Sequence, residues 1–151
     1  MAVEYRAEDD TYFERRRVDN QTIELGINYY DESIHDRHSY WNIYVTVFNK
    51  RKDMYSNMDK KIITGKNPFA TVIAAREMFS NVEAYLLDCE LVHGGFDKIT
   101  IFCTWVDNRR RDAYYKVLSR MGYDWGRIGK EKCIMKTYRL EDINPEVLED
   151  E

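Results

Sequence analysis

Residues 98–106, KITIFCTWV, form a nearly continuous apolar run that constrains the fold more than any other segment. A strand that is apolar on both faces is typical of a buried position with parallel neighbours. Parallel neighbours need a crossover connection, because a tight turn cannot join them. The segments flanking this run have helical periodicity, so the pattern predicts strand–helix–strand–helix–strand for the second half of the chain.

The first predicted helix follows Gly65-Lys66-Asn67-Pro68 and extends to about Cys89. Asn67 is a favourable N-cap, and Pro68 suits the first helical position. Apolar residues then recur at helical spacing and predict one buried face. That face comprises Phe69, Val72, Ala75, Phe79, Val82, Leu86 and Cys89. Glycines at 94 and 95 end the segment.

The second predicted helix covers roughly residues 109–121, capped by Asp107-Asn108 and stopped by Gly122. Its predicted buried stripe is Tyr114, Val117, Leu118 and Met121. A final strand is expected over residues 127–139, where apolar and polar residues alternate.

The first half predicts three strands, at residues 21–30, 40–48 and 61–64. Short polar loops join them, so we expect antiparallel pairing. The predicted order is β-β-β-α-β-α-β. The fold class is therefore α+β, with a mixed, mostly antiparallel sheet and two main helices packed on it.

The chain of 151 residues has the size of a single domain. We expect an arm or short helix at residues 1–20, one domain at 21–139 and an acidic tail at 140–151. That tail holds six Asp/Glu and no Lys/Arg, whereas residues 109–139 hold ten Lys/Arg and three Asp/Glu. This asymmetry favours an anionic partner or a tail that folds back; two solvated faces are the alternative.

The sequence predicts a cytoplasmic protein that does not enter a membrane. No apolar run approaches the ~18 residues of a membrane span. The first ten residues, MAVEYRAEDD, lack the apolar core of a secretory signal. The three cysteines, Cys89, Cys103 and Cys133, are odd in number and widely spaced, which favours buried thiols in a reducing compartment.

The order of elements resembles that of the GNAT superfamily of N-acetyltransferases over residues 21–139. The stretch NRRRDAYYKVLSRMGYDW resembles that family's late helix, in which an Asn opens the helix and a Gly-aromatic pair closes it. The resemblance implies a GNAT-like fold and an acetyl-CoA cofactor.

In that family, a glycine-rich turn and the following helix N-terminus hold the pyrophosphate of acetyl-CoA, using unpaired backbone donors. The resemblance implies that the pyrophosphate is held by the equivalent turn here, at Gly65, Lys66, Asn67 and Ala70. It implies that the pantetheine arm is held by Asn108. The turn has neither the family's leading Arg/Gln nor its central Gly, and Pro68 removes one donor. An ordinary capped helix start is the alternative.

Many family members place a tyrosine four residues before the late Gly, as the general acid. Leu118 occupies that position, and Tyr114 and Tyr115 lie one turn earlier, as the nearest catalytic candidates. The possible general bases are Glu24, Asp31 and the strand-edge tyrosines, and spacing singles out none of them.

Arg109, Arg110 and Arg111 open the second helix, where positive charge opposes the helix dipole. The cluster predicts a compensating anion: a ligand phosphate, nucleic acid, the acidic tail or an acidic protein patch. Neutralisation by Asp107 and Asp112 is the alternative.

His35-Asp36-Arg37-His38 is interpreted as a solvated loop rather than a metal site, because no further His or Cys lies near it. The aromatic residues of 40–48 are interpreted as core rather than as a base-stacking face, so nucleic acid is not the favoured partner.

Two functional hypotheses remain. The first is a non-enzymatic binding protein that uses this scaffold to engage a protein through its charged faces. Its compact size and dense charge would suit an accessory protein such as a phage product. The second is a divergent acetyl-CoA-dependent N-acetyltransferase acting on an amine.

Overall fold

The computed structural model describes residues 2–48 and 68–143. These residues form an α+β fold with a mixed sheet, which confirms the predicted fold class. The strands are β1 (Glu4–Arg6), β2 (Thr11–Val18), β3 (Gln21–Ser33), β4 (His38–Phe48), β5 (Lys98–Cys103), β6 (Asp124–Ile128) and β7 (Glu131–Arg139). The helices are α1 (Pro68–Leu86), α2 (Asn108–Leu118) and α3 (Leu140–Ile143). Among the described residues the strand order is β1-β2-β3-β4-β5-β7-β6.

The described residues divide into two compact units. The first contains residues 2–28, 44–48 and 68–85. Its strands β1, β2 and the start of β3 pair antiparallel. Its core includes Ile23, Ile27 and, from α1, Met78 and Val82.

The second unit contains residues 29–43 and 86–143. Here β4 pairs parallel with β5, β5 pairs antiparallel with β7, and β7 pairs antiparallel with β6. The predicted helical crossover to a parallel strand is therefore confirmed, with β4 as the parallel partner of β5. Its core includes Ile99, Ile101 and Ile134, all fully buried.

The sequence predicted an arm or a short helix for residues 1–20; the described part of this segment forms β1 and β2 rather than a helix. Part of the dense charge of this segment is paired. Arg15 of β2 lies opposite Glu24 of β3 and donates from Nε to its carboxylate at 2.6 Å. Glu14 is buried and accepts from Arg16 at 2.9 Å. Opposite charges on directly paired residues of neighbouring strands, such as Arg15 and Glu24, stabilise a sheet.

The single final strand predicted at residues 127–139 is instead a hairpin, β6 and β7. Ile128 pairs with Glu131, so two residues form the turn, and Gly129 adopts φ 60°. Two-residue hairpin turns require this left-handed region, which glycine enters at little cost. The third predicted strand, at 61–64, lies outside the described residues.

The two main helices begin and end near the predicted residues, but not every residue of their predicted buried faces is buried. Residues Leu87–Val92 continue α1 as a π-helix. Phe79 and Leu86 are buried as predicted, but Val72 is 47% exposed. In the second unit, Gly122 follows α2 and a 3₁₀ turn with φ 92°, as a C-terminal glycine should.

Candidate functional site

The residues assigned to a pyrophosphate lie largely outside the described part of the chain. Gly65, Lys66 and Asn67 fall there, so their role stays a prediction. Ala70 lies in the first turn of α1 and is half-buried.

The N-terminus of α2 is capped by Asp107. Its carboxylate accepts a hydrogen bond from the backbone N–H of Arg110 at 2.8 Å, and its backbone is extended, as an N-cap requires. Asn108 is the first helical residue and is exposed. Its predicted contact with a pantetheine arm stays a prediction.

The structure gives the three arginines of α2 three different surroundings. Arg110 is buried, and its guanidinium lies 2.6 Å from the second oxygen of Asp107. Arg111 pairs with Asp112 at 2.9 Å. Arg109 is exposed, and no carboxylate of the described residues pairs with it. Of the three, Arg109 therefore presents the free positive charge.

The two tyrosines proposed as acids also differ. Tyr114 is half-buried, and burial, with the Cys103 thiol nearby, raises its pKa. The Tyr115 hydroxyl donates to the carboxylate of Asp124 at 3.3 Å. Partial desolvation and that carboxylate raise the pKa of Tyr115. Both phenols stay protonated at neutral pH, and Tyr115 belongs to an aromatic cluster.

That cluster brings together residues that are distant in sequence. The Tyr115 ring stacks on Trp125 of β6, with centroids 4.3 Å apart and planes at 9°. Trp105, in the loop after β5, meets Trp125 edge-on at 5.8 Å. Trp125 is 49% exposed, and Val106, next to Trp105, is 60% exposed. We call Trp105, Val106, Tyr115 and Trp125 the aromatic patch.

The sequence did not predict this patch. Trp105 and Val106 were expected inside the strand over residues 98–106, but β5 ends at Cys103. Asp107, as the N-cap, fixes the start of α2, so the residues before it form a surface loop. Trp105 and Trp125 flank a predicted helix, and no pattern in the neighbouring sequence indicates that they contact each other.

Glu24, one of the possible general bases, accepts hydrogen bonds from two side chains of the first unit. Its carboxylate accepts from Arg15 at 2.6 Å and from the Tyr44 hydroxyl at 2.7 Å. Burial and this carboxylate raise the pKa of Tyr44 well above its usual value. Arg6 lies 4.0 Å from the same carboxylate. These contacts occupy both carboxylate oxygens of Glu24 within the first unit.

Comparison with known proteins leaves the family of this chain open. No protein-family model matches it, and no curated protein matches it. A solved structure that it resembles is the N-terminal domain of ribosomal-protein-alanine acetyltransferase from Clostridium acetobutylicum ATCC 824. The two chains are 12% identical; the match covers 95% of this chain and 99% of the other, with a TM-score of 0.41. Within the described ranges, no helix has the length and apolar character to cross a membrane.

Proposed function

We propose that this protein acts by binding a protein partner through the aromatic patch and the adjoining Arg109, without catalysing a reaction. The observation that carries the proposal is the half-exposed Trp125, held in a stack with Tyr115. Tryptophan, tyrosine and arginine are the residues most enriched among those that dominate binding energy at protein interfaces.

The geometry of the patch favours binding because its rings are already ordered. A stacked ring loses little side-chain freedom when a partner covers it, so less of the interaction energy is spent on ordering. Trp125 is fixed on one side by Tyr115 and on its edge by Trp105. Exposed apolar groups gathered in this way are typical of interaction sites.

The charge next to the patch indicates the chemistry of the partner. Arg109 lies within α2, two residues after the Asp107 cap and three after Val106, and is exposed. Arg110 and Arg111 already have carboxylate partners, Asp107 and Asp112. A partner surface with an apolar pocket beside a carboxylate fits this arrangement. We place this interaction in the cytoplasm, because Cys103 and Cys133 are buried free thiols and Cys89 is free and half-buried.

The test is comparative recovery of bound proteins by four forms of the chain. Wild type and the control Ile34→Ala, which removes a 79% exposed residue outside the patch, should recover the same partner. Trp125→Ala and Arg109→Glu should each lose it. The recovered protein must then bind purified wild type in isolation. Recovery that is equal for all four forms, or that disappears after nuclease treatment, would contradict the proposal.

Acetyl-CoA-dependent transfer to an amine is the second proposal, and one observation favours it. The side-chain oxygen of Asn42 is buried and has no hydrogen-bond partner among the described residues. Asn42 lies on β4 where its register with β5 ends, opposite Phe102. A buried acceptor without a donor is costly, and the amide N–H groups of acetyl-CoA would supply one.

Calorimetry with acetyl-CoA tests this second proposal. Asn42→Leu removes the unpaired acceptor at similar size, so the fold should be as stable as wild type or more so. If Asn42 holds the cofactor, wild type binds acetyl-CoA and this variant binds it at least roughly tenfold more weakly. No heat of binding to wild type at millimolar acetyl-CoA would remove the proposal.

A further inference from the structure

Three basic side chains from neighbouring strands of the second unit lie in one row across the sheet. The register pairs His38 of β4 with Lys98 of β5, and Lys98 with Arg139 of β7. Residues paired across strands project from the same face of a sheet. The three side chains therefore share one face, with Lys98 in the middle. We call them the basic row.

A row of hydroxyl groups lies beside the basic row on the same face. The register pairs Tyr40 with Thr100, and Thr100 with Thr137. The Thr100 hydroxyl lies 2.7 Å from Nε2 of His38 and 2.7 Å from the Thr137 hydroxyl. The Tyr40 ring stacks on the His38 ring at 4.3 Å. These contacts hold the imidazole in a fixed position.

The positive charge of the basic row is not balanced within the described residues. Neither Lys98 nor Arg139 pairs with a carboxylate there. Burial lowers the pKa of His38, and the charges of Lys98 and Arg139 lower it further, against the opposing effect of Asp36. Like charges on neighbouring strands destabilise a sheet. A locally unfavourable arrangement without an evident compensation marks a functional site.

We propose that the basic row and the adjoining hydroxyl groups bind a phosphate group, carried as inorganic phosphate or as the monoester of a small molecule. A phosphate dianion matches two permanent cations and an imidazole that can take up a proton. The guanidinium of Arg139 suits bidentate contact with phosphate oxygens. Arg139 and Thr137 are exposed, so a small anion has access to the row.

Binding of the anion and protonation of His38 are thermodynamically linked. A bound dianion offsets the charges of Lys98 and Arg139, so it favours the imidazolium form of His38. By reciprocity, protonation of His38 strengthens anion binding by the same factor. Phosphate should therefore raise the pKa of His38.

The experiment is an NMR titration of the histidine ring signals of the full chain. The chain has three histidines, and the His38 signal is assigned by its loss in His38→Gln. The titration is run in phosphate, in glycerol phosphate and in chloride at matched ionic strength. Both phosphates should raise the pKa of His38 relative to chloride. A monoester that binds much more tightly than inorganic phosphate identifies the esterified source, and equal binding identifies the free ion.

Matched variants separate a site from general charge screening. Lys98→Gln and Arg139→Gln should each weaken phosphate binding by roughly tenfold or more. Lys132→Gln, at an exposed position elsewhere on β7, should leave it unchanged. An unchanged pKa of His38 in wild type at millimolar phosphate overturns the proposal, as does an equal loss of binding in all three variants. The wild-type titration does not depend on any variant folding.

Discussion

The Tyr115 ring of α2 lies parallel to the Trp125 indole of β6, with centroids 4.3 Å apart and planes at 9°. This contact joins the helix to the hairpin in the second unit and leaves Trp125 half-exposed. A side chain that is both packed and exposed is pre-organised for a partner, which is why this pair is central to the proposed function.

The N-cap of α2 should dominate the stability of that helix. Asp107→Ala removes the cap and leaves the buried Arg110 guanidinium without its carboxylate. We expect a loss of about 2–4 kcal/mol in the free energy of unfolding, measured in urea. Asp112→Ala, which breaks the exposed pair with Arg111, should cost less than about 1 kcal/mol. Equal losses for the two variants would show that burial of Arg110 is not what makes the cap important.

A side chain at position 26 should destabilise the first unit. A Cβ on Gly26 would lie 2.5 Å from the Tyr44 ring, closer than real contacts allow. Gly26→Ala should therefore displace Tyr44 from Glu24 and cost about 1–3 kcal/mol of unfolding free energy. In a Tyr44→Ala background the same change should cost much less, as a double-mutant cycle would reveal. Additive losses would contradict the steric explanation.

Stability should depend on pH through His38. Its pKa in the folded chain lies below the ordinary value of 6.5. As the pH falls below about 6.5, the unfolded chain takes up a proton that the folded chain resists, so the free energy of unfolding falls. Without added phosphate, His38→Gln should flatten this part of the profile between about pH 7 and pH 5, in urea unfolding at each pH. A slope that is unchanged in His38→Gln would remove His38 as its source.

Local signals in the sequence predicted the second unit better than the first. Asp107 and Gly122 define the ends of α2 through contacts within a few residues, so their neighbours suffice to predict them. The pairing of β2 with β3 depends instead on cross-strand pairs such as Arg15 with Glu24, whereas the charge-dense sequence of residues 1–20 predicted only an arm or a short helix.

The candidate sites could not be predicted for the same physical reason. The aromatic patch requires Trp105 and Trp125 to meet across α2, and the basic row requires the register of three strands. Sequence pattern indicates which residues share a face of one element, but it does not give the register between elements. His38 was accordingly interpreted as part of a polar loop, although it begins β4.

The most direct test of the proposed function is the affinity of the recovered partner for purified Trp125 variants, measured by calorimetry. Trp125→Ala should weaken binding by roughly tenfold or more, as expected for a central interface tryptophan. Trp125→Phe, which preserves a ring stacked on Tyr115, should retain part of that affinity, and Ile34→Ala should retain all of it. Affinity unchanged by Trp125→Ala, in a variant that folds as wild type does, would contradict the proposal that the aromatic patch is the binding surface.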